Sequence, residues 1–228
     1  MTLPLHWKRP ARIFVSSTSD IFHENLPDEA IDKIFAVMAL APQHTFQVLT
    51  KRAERMRDYF AEGRERMHTR WLWAARSAIQ CYKAGAAIPG EFPLPNVWLG
   101  VSAERQQEAD ERIPLLLRTP AAVRFISAEP LIGPVDLDAV RAFRTIWWDT
   151  KTPGGRPPVG VGLDWVICGG ESGPNRRAMD LAWAYSLLAQ CDSAGVSFFM
   201  KQIDGRQPIP PDLLVRQFPQ APSTKQAA

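Results

Sequence analysis

Hydrophobic positions along this chain gather in six short runs, at residues 12–16, 46–50, 97–101, 123–127, 165–168 and 197–200. Each stops abruptly at a polar cluster: Ser17 to Asp20, Lys51 and Arg52, Ser102 to Glu104, Glu129 and Pro130, Gly169 to Gly173, and Lys201 with Gln202. Runs of this length, rich in Val, Ile, Phe and Trp and bounded by turn formers, predict buried strands. Strands that all carry polar groups at their C-terminal ends are how α/β barrels and open parallel sheets build a ligand site.

Helical spacing fills the gaps. Pro27, Asp28 and Glu29 mark a helix start, with Pro at the first position and carboxylates in the first turn, and Ile31, Ile34, Phe35 and Met38 follow on one face. A second helix starts near Lys51, with Met56, Tyr59 and Phe60 on its apolar side, and a longer one covers about residues 64–84 around Trp71, Leu72, Ala75, Ile79 and Tyr82. Ala109, Ile113, Leu116 and Leu117 mark another face, where Pro114 predicts a kink or two short helices. Asp180 is the expected N-cap of a last helix with Leu181, Ala184, Leu188 and Cys191 on its face and Gly195 as its stop. Strand and helix alternate, so the predicted fold is α/β: an incomplete TIM-type (β/α) barrel of six mainly parallel strands over residues 1–205. A Pro/Gly-rich insertion near 144–162 contains Trp147 and Trp148, and residues 206–228, rich in Pro and Gln, read as a disordered tail.

Composition narrows the class. The 228 residues are 46% hydrophobic with a net charge of +3, enough for a sizeable core and too little charge for a nucleic-acid-binding tail. No run approaches the roughly 18 to 20 apolar residues of a membrane span, and the N-terminus lacks signal architecture, which predicts a cytoplasmic protein. Cys81, Cys168 and Cys191 lie far apart, so they suggest neither a disulfide framework nor a metal site. Cys168 and Cys191 read as buried structural thiols.

Several residues could carry chemistry. After a strand, Gly169 and Gly170 permit close approach of backbone N–H groups to a ligand, Glu171 can accept from an amine, and Ser172 can donate to a carboxylate or phosphate. The same segment also reads as a tight turn with an exposed Glu. Asp20 and His23 are spaced to pair as a base near neutral pH, or to close a turn. Lys51 and Arg52 could clamp an anion. From Lys51 to Arg76 the chain holds eight Lys/Arg against four Asp/Glu, an excess suited to nucleic acid or to a solvated helical face. Glu104, Glu129 and Lys201 complete the set, whose mixed charge suits a zwitterionic ligand.

Taken together, residues 13–23, 35–46, Leu49 to Arg52, Asn96 to Ser102, Ala109 to Leu117, Glu129 to Leu131, Asp164 to Gly173 and Phe198 to Gln202 resemble the phage Gp 37 / Gp 68 family over about residues 4–203. This is an uncharacterised phage and bacterial family with a three-cysteine motif near the N-terminus. The resemblance implies a relative of radical S-adenosylmethionine enzymes: a partial barrel, S-adenosylmethionine at the strand ends, and an iron–sulfur cluster on the N-terminal cysteines. In radical enzymes of this type a Gly-Gly-Glu segment often binds the amino group of S-adenosylmethionine, so Gly169, Gly170 and Glu171, with Ser172, are expected to meet the cofactor, Lys51, Arg52 and Lys201 its anionic groups, and Asp20, His23, Glu104 and Glu129 are the candidates for substrate binding or proton transfer. The three-cysteine segment is missing ahead of Leu5, so this chain alone is expected to hold no cluster, to be inactive, and to leave a barrel edge exposed. The partner is an unknown small-molecule or macromolecular substrate, or a protein encoded nearby. Two rival readings are a nucleic-acid-binding or nucleic-acid-modifying phage protein and a non-catalytic remnant acting by interaction.

Overall fold

The computed structural model describes residues 2–17, 19–78, 88, 90–143 and 161–219. All six expected strands form: β1 (Arg12–Val15), β2 (Thr45–Thr50), β3 (Val97–Ser102), β4 (Val123–Ala128), β5 (Trp165–Gly169) and β6 (Ser197–Gln202). They lie in one sheet in the order β1-β2-β3-β4-β5-β6. The pairs β1/β2, β2/β3, β4/β5 and β5/β6 are all parallel. A strictly sequential order has no reversal point, so this is the winding of an incomplete TIM-type barrel and not of a doubly wound sheet. Every residue of β3 and β5 is buried, as strands covered on both faces require, which is why they read as unbroken apolar runs.

Five helices flank the strands: α1 (Asp28–Ala39), α2 (Ala53–Phe60), α3 (Gly63–Ala78), α4 (Gln106–Leu117) and α5 (Leu181–Ala194). Pro27 is the N-cap of α1 rather than its first residue. The break expected at Pro114 does not divide α4. The missing N–H orphans only the carbonyl of exposed Asp110, while Ile113 and Leu116 on either side are fully buried. Asp180 caps α5 by accepting from the Ala182 N–H, and Gly195 ends it in the left-handed conformation at φ 65°. The buried face of α5 is Ala184, Leu187 and Cys191, with Leu187 in place of the expected Leu188.

The chain divides into two compact units. Among the described residues, the first comprises 2–101 and 118–123 and the second 102–117 and 124–219. The first has an aromatic core in which Phe35 stacks on Trp71 at 5.4 Å and meets Phe60 edge-on at 5.3 Å. One polar chain runs through it. The Trp71 indole donates to the Tyr59 hydroxyl (3.0 Å), which donates to Asp32 (2.8 Å), which also accepts from Arg70 (3.1 Å).

In the second unit Phe125, Ile126, Val166, Phe198 and Met200 are buried beside Leu187 and Cys191. Here one expectation fails. The segment after residue 206 is docked as far as Pro219. Its Leu213 is fully buried, and the Met200 N–H donates to the Val215 carbonyl (2.8 Å). Arg216 bridges Phe199, and Phe218 packs on Trp165 and Phe199 at 5.2 Å each. A few apolar side chains and the free edge of β6 suffice to fix a Pro-rich stretch that composition alone marks as unfolded. The insertion around Trp147 and Trp148, Cys81, Ile79, Tyr82 and the last nine residues of the tail lie outside the described residues.

Candidate functional site

Within the first unit, the expected base does not form. Asp20 is saturated by its own chain: its carboxylate accepts from the Thr50 hydroxyl (2.8 and 2.9 Å), the Phe22 N–H (2.9 Å), the Lys51 N–H (3.1 Å) and Arg52 (3.2 Å). Thr50 in turn accepts from the Arg52 N–H (2.9 Å). The turn from β2 into α2 is thus held by a carboxylate from the β1 loop, which accepts from Thr50, the Lys51 N–H and the Arg52 guanidinium just ahead of the helix. The His23 N–H donates to the Asp20 carbonyl (3.1 Å) and closes a turn, but its ring pairs elsewhere. Its Nδ1 accepts from the Asn25 N–H (3.1 Å) and its Nε2 lies 3.8 Å from Glu24. Arg52 is no open anion clamp either, because it grips Glu24 at 2.6 Å as well as Asp20. Its hydrogen bond holds the Glu24 carboxyl down to about 2. Lys51 presents its backbone N–H to this cluster.

Half of the eight basic residues from Lys51 to Arg76 are answered by carboxylates. Arg52, Arg55, Arg57 and Arg70 all pair with carboxylates, four of which (Asp20, Glu24, Asp28 and Asp32) lie on the β1 loop and α1. Counting charge along the sequence misses partners brought in by folding, and the nucleic-acid reading loses the excess it rested on.

The second unit builds a cleft. Parallel register sets Ala128 beside Cys168 and Gly169 beside Gln202, so the C-terminal ends of β4, β5 and β6 open side by side. Glu129 reaches past Gly169 to Lys201 and accepts from its Nζ at 2.9 Å through both carboxylate oxygens. A Cβ on Gly169 would sit 3.4 Å from Glu129 Cγ and Cδ, a van der Waals contact that places the Glu129 side chain directly over Gly169. Gly170 is small for another reason. A Cβ there would come 2.9 Å from Asp204 Cα and closer still to Asp204 N. Its glycine identity answers to packing of the loop after β6, not to a ligand. Two hydrogen bonds fix that contact: the Gly170 N–H donates to the Gln202 carbonyl (3.0 Å), and the Gln202 amide donates to the Gly170 carbonyl (2.9 Å).

Glu171 turns back on its own loop. It accepts from the Arg177 N–H (2.6 Å) and from the Arg177 guanidinium, and these bonds hold its carboxyl below the usual range. Ser172 is exposed on the same loop. The cleft has a volume of about 550 Å³ and is lined by Glu129, Gly170, Glu171, Ser172, Arg176 and Gln202, among others. Glu104 belongs to the same unit but is buried, held by Arg112 at 3.0 Å. Such enclosure fits an ion pair that ties α4 to the end of β3 and not a group that meets substrate.

The structure therefore gathers Gly169, Gly170, Glu171, Ser172, Glu129 and Lys201, and places Asp20, His23, Lys51 and Arg52 in a separate cluster of the first unit. Sequence reasoning missed Arg176, Arg177, Gln202 and Asp204 as site residues. Two adjacent arginines after a Gly-Glu-Ser-Gly-Pro-Asn loop were the available signal.

Among the described residues no three His, Cys, Asp or Glu side chains assemble as metal ligands. Cys168 and Cys191 are buried, and burial pushes both thiols up to about 12. Neither fits an iron–sulfur cluster, which needs several thiolates grouped at one place, and the described residues offer no such group. Among the described residues no helix is long and apolar enough to cross a membrane. No curated protein and no solved structure gives a significant match to this chain. A family profile does match, over residues 1–216, and so the chain belongs to the family described as a protein of unknown function (DUF5131).

Proposed function

We propose that the cleft at the ends of β4, β5 and β6 binds S-adenosylmethionine, as the ligand-binding part of a radical S-adenosylmethionine-like protein of phage or prophage origin. The observation that carries this reading is a cleft lined by both signs of charge, Glu129 and Glu171 on one side of the balance and Arg176 on the other, the two carboxylates being held in place by Lys201 and Arg177. A zwitterion is the ligand such a lining suits. S-adenosylmethionine carries an ammonium, a carboxylate and a sulfonium, and the cleft volume falls within the roughly 300–1,000 Å³ of small-molecule sites. Glu171 and Glu129 would meet the cationic end, and Ser172 and the cleft arginine the anionic end. The cofactor would supply a carbon activated by its sulfonium. Because the described thiols do not fit a cluster, no radical step is drawn, and the reading rests on binding.

Calorimetric titration with S-adenosylmethionine is the test. Saturable binding is expected, weakened about tenfold or more by Glu171→Ala and by Glu129→Gln, since hydrogen bonds to charged groups contribute about 1.5–3 kcal/mol. Absence of binding, or binding indifferent to both substitutions, would refute the reading.

A further inference from the structure

Arg176 and Arg177 are adjacent but do opposite things. Arg177 closes on Glu171 with its backbone and its guanidinium. The guanidinium of Arg176 makes no hydrogen bond within the described chain. Its one charged partner is Asp204 Oδ2, at 4.0 Å, beyond hydrogen-bond reach. The other Asp204 oxygen accepts from the Met179 N–H at 3.2 Å. The Arg176 side chain is 42% exposed and lines the cleft.

Its seat is specific. Arg176 lies against Gly205, which adopts φ +66° and donates its N–H to the Glu171 carbonyl at 3.1 Å. A Cβ at position 205 would fall 2.6 Å from both Cζ and Nη2 of Arg176. The atoms met are the far end of the arginine, so a side chain at 205 would push the guanidinium aside, and glycine, which also suits the positive φ, is what lets Arg176 lie over the loop after β6. A guanidinium carries five N–H donors in a rigid fork suited to a planar oxyanion.

The geometry points to Arg176 as the residue that reads an anionic group of the ligand in this cleft, through the bidentate chemistry that carboxylates and phosphates share. This rests on the reading of the cleft as a ligand site and deepens it. For S-adenosylmethionine the group read is the methionyl carboxylate, and for a phosphorylated ligand it is the phosphate. Arg176 is a binding residue here, and Gly205 is the positioning residue that seats it.

Two measurements separate this assignment from the cofactor reading. In the first, Arg176 Nε–H is followed by NMR in the unmodified protein while acetate or inorganic phosphate is added. A saturable shift of that signal is expected, and the better of the two anions identifies the source. In the second, S-adenosylmethionine and its decarboxylated analogue are titrated into wild type, Arg176→Ala, Arg176→Lys and Gly205→Ala.

Loss of the carboxylate is expected to weaken wild-type binding about 10- to 100-fold. Arg176→Ala should show a similar loss with no further penalty for the analogue, and Arg176→Lys a smaller one. Gly205→Ala should resemble Arg176→Ala although the charge is kept. If S-adenosylmethionine does not bind but an anion moves the Arg176 signal, the cofactor reading fails and the anion site stands. If S-adenosylmethionine binds Arg176→Ala as well as wild type, or neither anion moves the signal, the assignment to Arg176 is overturned.

Discussion

Replacing Gly170 by alanine distinguishes packing from ligand approach as the reason for a glycine at that position. The added Cβ would meet backbone, lying 2.9 Å from Asp204 Cα and 3.1 Å from Asp204 Cβ. Backbone cannot rotate away as a side chain can, so the two loops must part by a fraction of an ångström or more. Parting them strains the bonds Gly170 N–H to Gln202 carbonyl (3.0 Å), Gln202 amide to Gly170 carbonyl (2.9 Å) and Gly205 N–H to Glu171 carbonyl (3.1 Å). Overpacking costs about 1–3 kcal/mol and each lost hydrogen bond about 1 kcal/mol, so a total of about 2–4 kcal/mol is expected. Gly173→Ala is the control, because nothing lies within 4 Å of its added Cβ. Urea denaturation followed by tryptophan fluorescence reads the difference, and hydrogen exchange at Gly170 and Gly205 locates it. If Gly170→Ala unfolds within 0.5 kcal/mol of wild type while ligand binding is lost, the glycine serves the ligand and the packing argument fails.

Three further outcomes follow from the same geometry. Tyr59→Phe removes the hydroxyl between Trp71 and Asp32 and leaves a buried donor and acceptor short of a partner, so thermal unfolding should show a loss of about 1–3 kcal/mol; an unchanged midpoint would count against the network. Arg112→Met removes the guanidinium 3.0 Å from the buried Glu104 carboxylate and should cost up to about 3–5 kcal/mol, much of it recovered when Glu104→Gln is added, and no recovery in the double variant would show that charge is not the cause. Cys168 and Cys191 ionise near 9 when unfolded but only near 12 when folded, so the unfolded chain gives up its protons first and stability falls as pH rises between those values, by up to about 1.4 kcal/mol per pH unit per thiol. Denaturation across that window should lose part of its slope in the Cys168→Ala and Cys191→Ala variants, and peptide mapping after alkylation of the native protein at pH 8 should find both thiols unmodified.

The strands were legible because burial on both faces leaves Ser102, at the very end of β3, as the only polar side chain in β3 and β5. The ends of α5 were legible because Asp180 and Gly195 act through local backbone chemistry. What sequence could not show depends on residues far apart in the chain. Asp20 and His23 are three residues apart, yet the carboxylate answers to Thr50 and Arg52 across the strand. The reason for glycine at 170 lies at Asp204, and the counter-charges of Arg55 and Arg70 lie on α1. In the tail, Leu213 and Phe218 are ordinary in composition and acquire meaning only against β6. Glu171 was singled out for its exposed carboxylate, but the adjacent arginines decide what that carboxylate is free to do.

The docking of residues 213–218 takes the outer edge of β6 out of play. β6 ends the strand order, and its outer backbone groups are already engaged by Val215 and Gln217. An unprotected strand edge is a template for a strand from another copy. Removing the docked residues would bare that template at β6. Six residues that carry no chemistry thus act as a guard rail on this side of the sheet.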